Sequence, residues 1–337
     1  MVTNNTLTLR HLITLFSQRR NLAPRSKEYY LNILGNFEWY AHFNNWPPPE
    51  AITRDHIRQF LDYVATEEHR WPEGRRAAYK KASPGTIHHY GRAVKCLFNW
   101  AEDEEYLAHN PIRRLKLGSP RYKDVKPYSD EEVYAILDVC ESDIRFRYRY
   151  LGVRNKAIIS LFVATGLRLT ELANIRLSDL DPRLQQLQVM GKGAKMRMVP
   201  IDGEARKALK HYLELRPGGG DDELWKTGDG QVMSSWHSIK TMVARVKRRA
   251  GVTSGGGVHR FRHYFATRFL EAGGDLNTLR LLLGHSTLAM VLKYSGFVDV
   301  EKALANHQQF NPLDRLYNRQ NHRQNPRRNN NDWGWRG

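Results

Sequence analysis

Cysteine is nearly absent: Cys96 and Cys140 are the only two in 337 residues. That is too few for a disulfide framework or a thiolate metal site. Both lie in helix-like patterns and read as core thiols of a reducing cytoplasm. Long apolar runs are also missing, and no stretch approaches the roughly 20 residues needed to span a bilayer. The start, MVTNNTLTLRHLITLFSQRR, lacks a basic segment followed by a long apolar run and a small-residue cleavage site, so it does not read as a signal peptide. No G-x-x-x-x-G-K-[ST] loop and no carboxylate cluster suited to Mg²⁺ occurs, so no cofactor is expected, neither ATP nor a metal. Acidic residues are scarce as well. Lys and Arg number 53 against 35 Asp and Glu, a formal charge of +18. Such an excess is unlike an ordinary metabolic enzyme. It points to a polyanionic partner, nucleic acid ahead of a membrane surface.

The length suits two domains. The first third reads as a helical bundle. Leu7 to Arg20 is a short amphipathic segment, and Tyr30, Ile33, Leu34, Phe37 and Tyr40 recur at helical spacing. WPPPE at 46–50 stops that helix, and Thr53 caps a third one carrying Ile57, Phe60, Leu61 and Val64. A basic connector without apolar periodicity, RWPEGRRAAYKKASPG, leads to a fourth helix with Tyr90, Val94, Leu97, Phe98 and Ala101, which ends before Asn110-Pro111. The cations interleaved here, Arg75, Arg76, Lys80, Lys81, Arg92 and Lys95, are expected to track phosphates and not merely to solvate a surface.

Residues 1–112 therefore form the expected first domain. A basic linker at 113–128, holding Arg121 and Lys123, joins it to a second domain at 129–310. Ser129-Asp130-Glu131-Glu132 is a capping box that opens a new helix. An arginine-rich stretch, Arg145, Arg147 and Arg149, leads into a strongly apolar helix from Ala157 to Ala164. After the Thr165-Gly166 stop, Arg168 lies just past a glycine turn with Glu171 three residues on. That spacing lets the carboxylate fix the guanidinium from behind. LQQLQVMG and KMRMVPI flank Gly191-Lys192-Gly193-Ala194-Lys195 and read as a β-hairpin with Lys192 at its tip. Helices return at Glu204–Leu215 and at Ser234–Ala250, the latter bearing the candidate DNA-contacting Lys240 and Arg245. Residues 301–309 read as weakly helical, and the polar basic tail 311–337 as disordered alone.

The most telling stretch runs from Val258 to Tyr294. His259 and Arg262 are three apart, so on a helix they share a face. Gly284-His285 and Tyr294 follow. A guanidinium holds two phosphate oxygens in a fork, an imidazole moves a proton near neutral pH, and a tyrosine is a potential covalent nucleophile. Alone, an H-x-x-R is usually a solvated helix face.

Together, A-T-G-L-R-L-T-E-L (164–172), G-K-G-A-K-M-R-M-V-P (191–200), H-R-F-R-H (259–263) and L-G-H-S (283–286) followed by Tyr294 resemble, in order and spacing, the tyrosine site-specific recombinases of the phage integrase family. The likeness covers Ser129 to about Phe297. Ser83, Thr86, Phe98-Asn99-Trp100 and Asn110-Pro111 fall where that family's core-binding domain has them. The resemblance implies a mostly α fold with a small β-sheet, in which a helical core-binding domain and a catalytic domain form a C-shaped clamp on double-stranded DNA. It implies strand exchange through a 3′-phosphotyrosine and a Holliday junction, in a homotetramer on two DNA sites, within the cytoplasm. By position, Tyr294 is the nucleophile, Arg168 and Arg262 grip the scissile phosphate, and Lys192 is the general acid. His259 handles a proton, His285 hydrogen-bonds the phosphate, and Glu171 supports from behind. With no separate arm-binding domain ahead of the bundle, a two-domain Xer-like or transposon-type member is expected. The rival readings are a type IB topoisomerase and a non-catalytic DNA-binding protein on the same fold.

Overall fold

The structure, a computed structural model, describes residues 7–19, 22–71, 78–118, 120, 126–191, 196–218, 222–233 and 236–295. Arg75, Arg76, Arg121, Lys123, Lys192, the 301–309 segment and the tail from 311 lie outside these residues. The chain divides into two compact units, Met1–Asp124 and Val125–Gly337.

The first unit is built from α1 (Leu9–Ser17), α2 (Pro24–Phe43), α3 (Arg54–Thr66) and α4 (Pro84–Asp103). Each start has a local cause. Thr8, Thr53 and Ser83 accept from backbone N–H groups in the first turns of α1, α3 and α4, while Pro24 opens α2 with a ring already set for the helix. The apolar stripes meet in one core, where Phe37 and Phe60 pack edge to face at 5.0 Å alongside Phe16, Val94, Leu97 and Phe98.

The connector expected to be irregular contains a small hairpin. In it β1 (His69–Arg70) pairs antiparallel with β2 (Ala78–Tyr79). Arg70 fastens it by donating to the carbonyls of Glu67 and Lys80, and Trp71, at φ 59°, turns its indole into the core. The linker start is also drawn inward: Leu115 is buried, and the Lys95 ammonium donates to its carbonyl at 2.8 Å.

The second unit runs α5 (Asp130–Phe146), α6 (Arg149–Thr165), α7 (Leu169–Ala173), β3 (Gln186–Met190), β4 (Met196–Pro200), α8 (Gly203–Leu215), α9 (Trp236–Arg249), α10 (His259–Glu271), α11 (Leu276–Leu283) and α12 (Ala289–Ser295). α6 is its axis, buried along most of its length and packed on α5, α8 and α10. It starts at Arg149, not at Ala157. Gly152 lets α5 come close, since a Cβ there would meet the Cys140 carbonyl at 2.8 Å. This tertiary packing turns an arginine-rich run into helix.

The expected hairpin is present. Leu187 stands opposite Val199, and Val189 opposite Arg197. Strand alternation therefore puts Arg197 on the inward face with Val199, while Met190, Met196 and Met198 point outward. Arg260 ties the unit's entry to α10, donating to the carbonyls of Lys126 and Pro127 and to Glu132. No helix among the described residues is long and apolar enough to cross a membrane.

Candidate active site

Two glycine turns frame the site. α6 ends at Gly166 and α11 at Gly284, both left-handed, with φ 61° and 63°. Past Gly166 the chain reverses, and Arg168 becomes the residue that opens α7. The end of α11 leaves carbonyls without intrahelical partners, at the negative pole of that helix. Three different guanidinium groups take them. Arg197 Nε donates to the Leu282 carbonyl at 2.9 Å, Arg262 Nη2 to Leu283 at 2.7 Å, and Arg168 Nη2 to Gly284 at 3.4 Å. Arg262 Nη1 also donates to the Gly166 carbonyl at 2.8 Å, which ties the two turns together.

Glu171 is the counter-ion of this set. Arg168 Nη1 donates to Oε1 at 2.7 Å, while Arg197 takes both carboxylate oxygens, at 3.0 and 2.9 Å. The Arg168 backbone N–H adds a bond at 2.8 Å. Burial alone raises the carboxyl's pKa. The Arg197 fork, the Arg168 N–H and both positive charges outweigh burial and hold it down at about 2. Arg262, 1 % exposed, moves the other way. Burial first, then the like charge of Arg168, lowers it to about 10. Three guanidiniums around one carboxylate leave the cluster formally at +2, the field an incoming phosphodiester meets.

His285 is buried beside Arg262, its Nε2 2.6 Å from Nη2. A guanidinium only donates, so Nε2 accepts and the ring proton belongs on Nδ1, a tautomer assigned from this hydrogen bond. Arg168, Glu171, Arg262 and His285 thus form one connected group.

Tyr294 is 1 % exposed, in a small core with Ala266, Leu270, Leu279, Leu283 and Val291 that binds α10, α11 and α12. Its ring meets His263 edge to face at 5.2 Å, and His263 in turn meets His259 at 5.3 Å. His259, exposed at the start of α10, therefore faces Tyr294 across His263. Of the expected DNA contacts, Lys80, Lys81, Arg92, Lys240 and Arg245 are exposed, whereas Lys95 is held against Leu115. Two participants were not foreseen from the sequence. Arg197 had a readable signal, because in M-R-M-V-P it shares a face with the core-bound Val199. His263 had none beyond standing one helical turn after His259.

The chain has counterparts among known proteins. The model of the Phage integrase family matches residues 128–297, just over half the chain, and a phage integrase N-terminal SAM-like domain matches residues 9–107. The chain belongs to the phage integrase family. Within that family it is 27 % identical over 312 residues to the tyrosine recombinase XerC of Syntrophus aciditrophicus, covering 88 % of this chain and 94 % of that protein. It is 32 % identical over 215 residues to XerC of Shewanella amazonensis, covering 63 % and 70 %. Its fold is similar to that of a XerH site-specific recombinase in a post-cleavage complex with palindromic difH substrate. The TM-score is 0.67 at 21 % identity, over 89 % of this chain and 84 % of that one.

Proposed function

We propose that this phage integrase family member is a site-specific DNA recombinase that cuts and rejoins duplex DNA through a 3′-phosphotyrosine. The observation that supports this most directly is the preorganised arginine set. Arg168 and Arg262 are fixed by helix-terminal carbonyls and by Glu171 before any substrate arrives, so little reorganisation is needed when charge builds on the non-bridging oxygens. Tyr294 Oη attacks phosphorus and the 5′ oxygen departs with a proton from Lys192. The new phosphotyrosine retains the energy of the broken ester. A 5′ hydroxyl from the partner duplex reverses the step and completes exchange, through a Holliday junction in a homotetramer on two sites.

His285, accepting from Arg262, keeps that guanidinium aligned, and hydrogen-bonds the phosphate once DNA is bound. His259 exchanges protons at the tyrosine side. Because Tyr294 lies in a closed apolar cluster, α12 shifts on DNA binding to bring the phenol to the arginines. A tyrosine with an ordinary pKa of about 10 is a poor nucleophile until a cationic field favours its anion. Exposed Lys80, Lys81, Arg92, Lys240 and Arg245, with Arg75, Arg76, Arg121 and Lys123, contact phosphates of the duplex. The protein works on the cell's DNA in the cytoplasm.

A plasmid assay tests this reading. Supercoiled plasmids carrying two copies of a duplex site selected by this protein from random sequence should yield deletion or inversion products, and a plasmid without that site should stay supercoiled. Efficient relaxation of the site-free plasmid by the monomer would point instead to a topoisomerase.

A further inference from the structure

A cavity of about 640 Å³ opens between α6 and α9, sharing no lining residue with the arginine–Glu171 cluster. Among its lining residues are Asp143, Tyr148, Arg154, Arg245 and Arg249. Asp143 is spent: both its oxygens are taken by Arg249 at 2.6 Å. Arg154 is 7 % exposed, and its acceptors are neutral. Nη1 donates to the Lys226 carbonyl at 2.9 Å, while Nη2 and Nε donate to Asn155 Oδ1 at 3.0 and 3.3 Å. Of the five N–H groups of a guanidinium, those three bonds use three and leave two. No described ion pair includes Arg154. A buried cation without a carboxylate is costly unless a ligand supplies the charge.

Arg245, exposed on α9, lines the same cavity as Arg154. Two guanidiniums therefore face one cavity with no described carboxylate left to balance them. The mouth is open and cationic. Tyr148 at its edge is 61 % exposed, within the alternating run Arg145-Phe146-Arg147-Tyr148-Arg149-Tyr150. Arg249 and His237 also line this cavity, whereas the exposed Lys240 and Arg248 of α9 line a separate pocket. A tetrahedral oxyanion fits this donor set, and a polymer of such groups fits the run of arginines that borders the cavity at Tyr148.

We propose that this cavity is a second phosphate site, in which Arg154 and Arg245 hold a backbone phosphodiester of bound DNA distinct from the one gripped by Arg168 and Arg262. The inference rests on the recombinase reading, and it assigns the arginine-rich α5–α6 segment to anchoring the duplex. A guanidinium fork matches two phosphate oxygens, so Arg154→Lys keeps the charge but loses the geometry.

The test is duplex binding by the full chain, followed by fluorescence anisotropy across a salt series. Wild type should show affinity falling steeply with salt. Arg245→Ala, a surface change that should leave the thermal midpoint unmoved, should reduce the slope of log K against log salt by about one. Arg154→Lys should also weaken binding across the series; wild-type affinity in Arg154→Lys would overturn the cavity assignment even where Arg245→Ala lowers the slope, because an exposed arginine touching a phosphate at the surface lowers it alone. Equal slopes for wild type and Arg245→Ala would overturn the assignment, including where inorganic phosphate raises the wild-type midpoint, because the cavity's ligand would then be free phosphate and not DNA. A wild-type chain with no salt-dependent DNA binding would instead sink the recombinase reading, so the two failures are distinguishable.

Discussion

Arg197 takes both carboxylate oxygens of Glu171, at 3.0 and 2.9 Å, while its Nε reaches the last turn of α11. A strand residue thereby fixes the acid that fixes Arg168. Arg197→Ala should lower strand cleavage by about 10- to 100-fold, the usual scale for removing a residue that orients a site group. Duplex affinity should stay within about twofold, since Arg197 is already engaged by Glu171 and Leu282. Arg197→Lys should recover little, because an ammonium cannot take both oxygens in a fork. Cleavage rates and binding isotherms measured side by side check the split; equal loss in both would make Arg197 a DNA contact.

Glu171 should also govern acid stability. Its carboxyl has an ordinary pKa of 4.5 and one of about 2 in the folded chain. A depressed carboxyl stabilises the fold fully above the unfolded value, and this contribution drains as pH falls from about 4.5 toward 2. The shift corresponds to something on the order of 3 kcal/mol. Urea melts at pH 6, 4 and 3 should therefore show Glu171→Gln much weaker than wild type at pH 6 and progressively closer below 4.5. A constant difference across that range would show that the carboxylate's charge is not what matters.

The two framing glycines have different neighbours from ordinary helix glycines. At Gly166 φ is 61°, and a Cβ would meet the Phe265 ring at 2.6 Å and Leu283 at 2.8 Å. Gly166→Ala should cost more than about 2 kcal/mol, from left-handed strain plus overpacking. Gly35, inside α2 with open space around it, should behave oppositely, with Gly35→Ala neutral or stabilising by up to about 1 kcal/mol. Thermal midpoints of the two variants against wild type decide this.

Lys192→Ala should impair cleavage of an ordinary phosphodiester. A substrate with sulfur at the 5′ bridging position, whose leaving group needs no proton, should restore it. Cleavage that stays slow on the sulfur substrate would remove Lys192 from the role of general acid.

Much of this architecture was legible in the chain. Caps at Thr53 and Ser129, and the alternation around β3 and β4, are local signals that packing left unaltered. The candidate site residues were legible as an ordered series of motifs, and the structure brings Arg168, Glu171, Arg262 and His285 together. What escaped depends on distant contacts. The first half of α6 reads as a polar arginine-rich run and becomes helix because Gly152 admits α5. Arg154 is buried against the Lys226 carbonyl, far along the chain. Arg197 becomes part of the site only when α11 ends beside β4, and His263 only when α12 sets Tyr294 against it.

The central claim is that Tyr294, among sixteen tyrosines, becomes joined to DNA. Its most direct measurement uses a nicked suicide duplex built on a site selected by this protein from random sequence, which traps the cleaved state when the short 5′ fragment diffuses away. Wild-type protein should accumulate a covalent adduct at the 3′ phosphate, stable to denaturant, with the DNA-linked peptide mapping to Tyr294, and Tyr294→Phe should give none. An adduct of undiminished yield from Tyr294→Phe, or a DNA-linked peptide from elsewhere in the chain, would contradict the account.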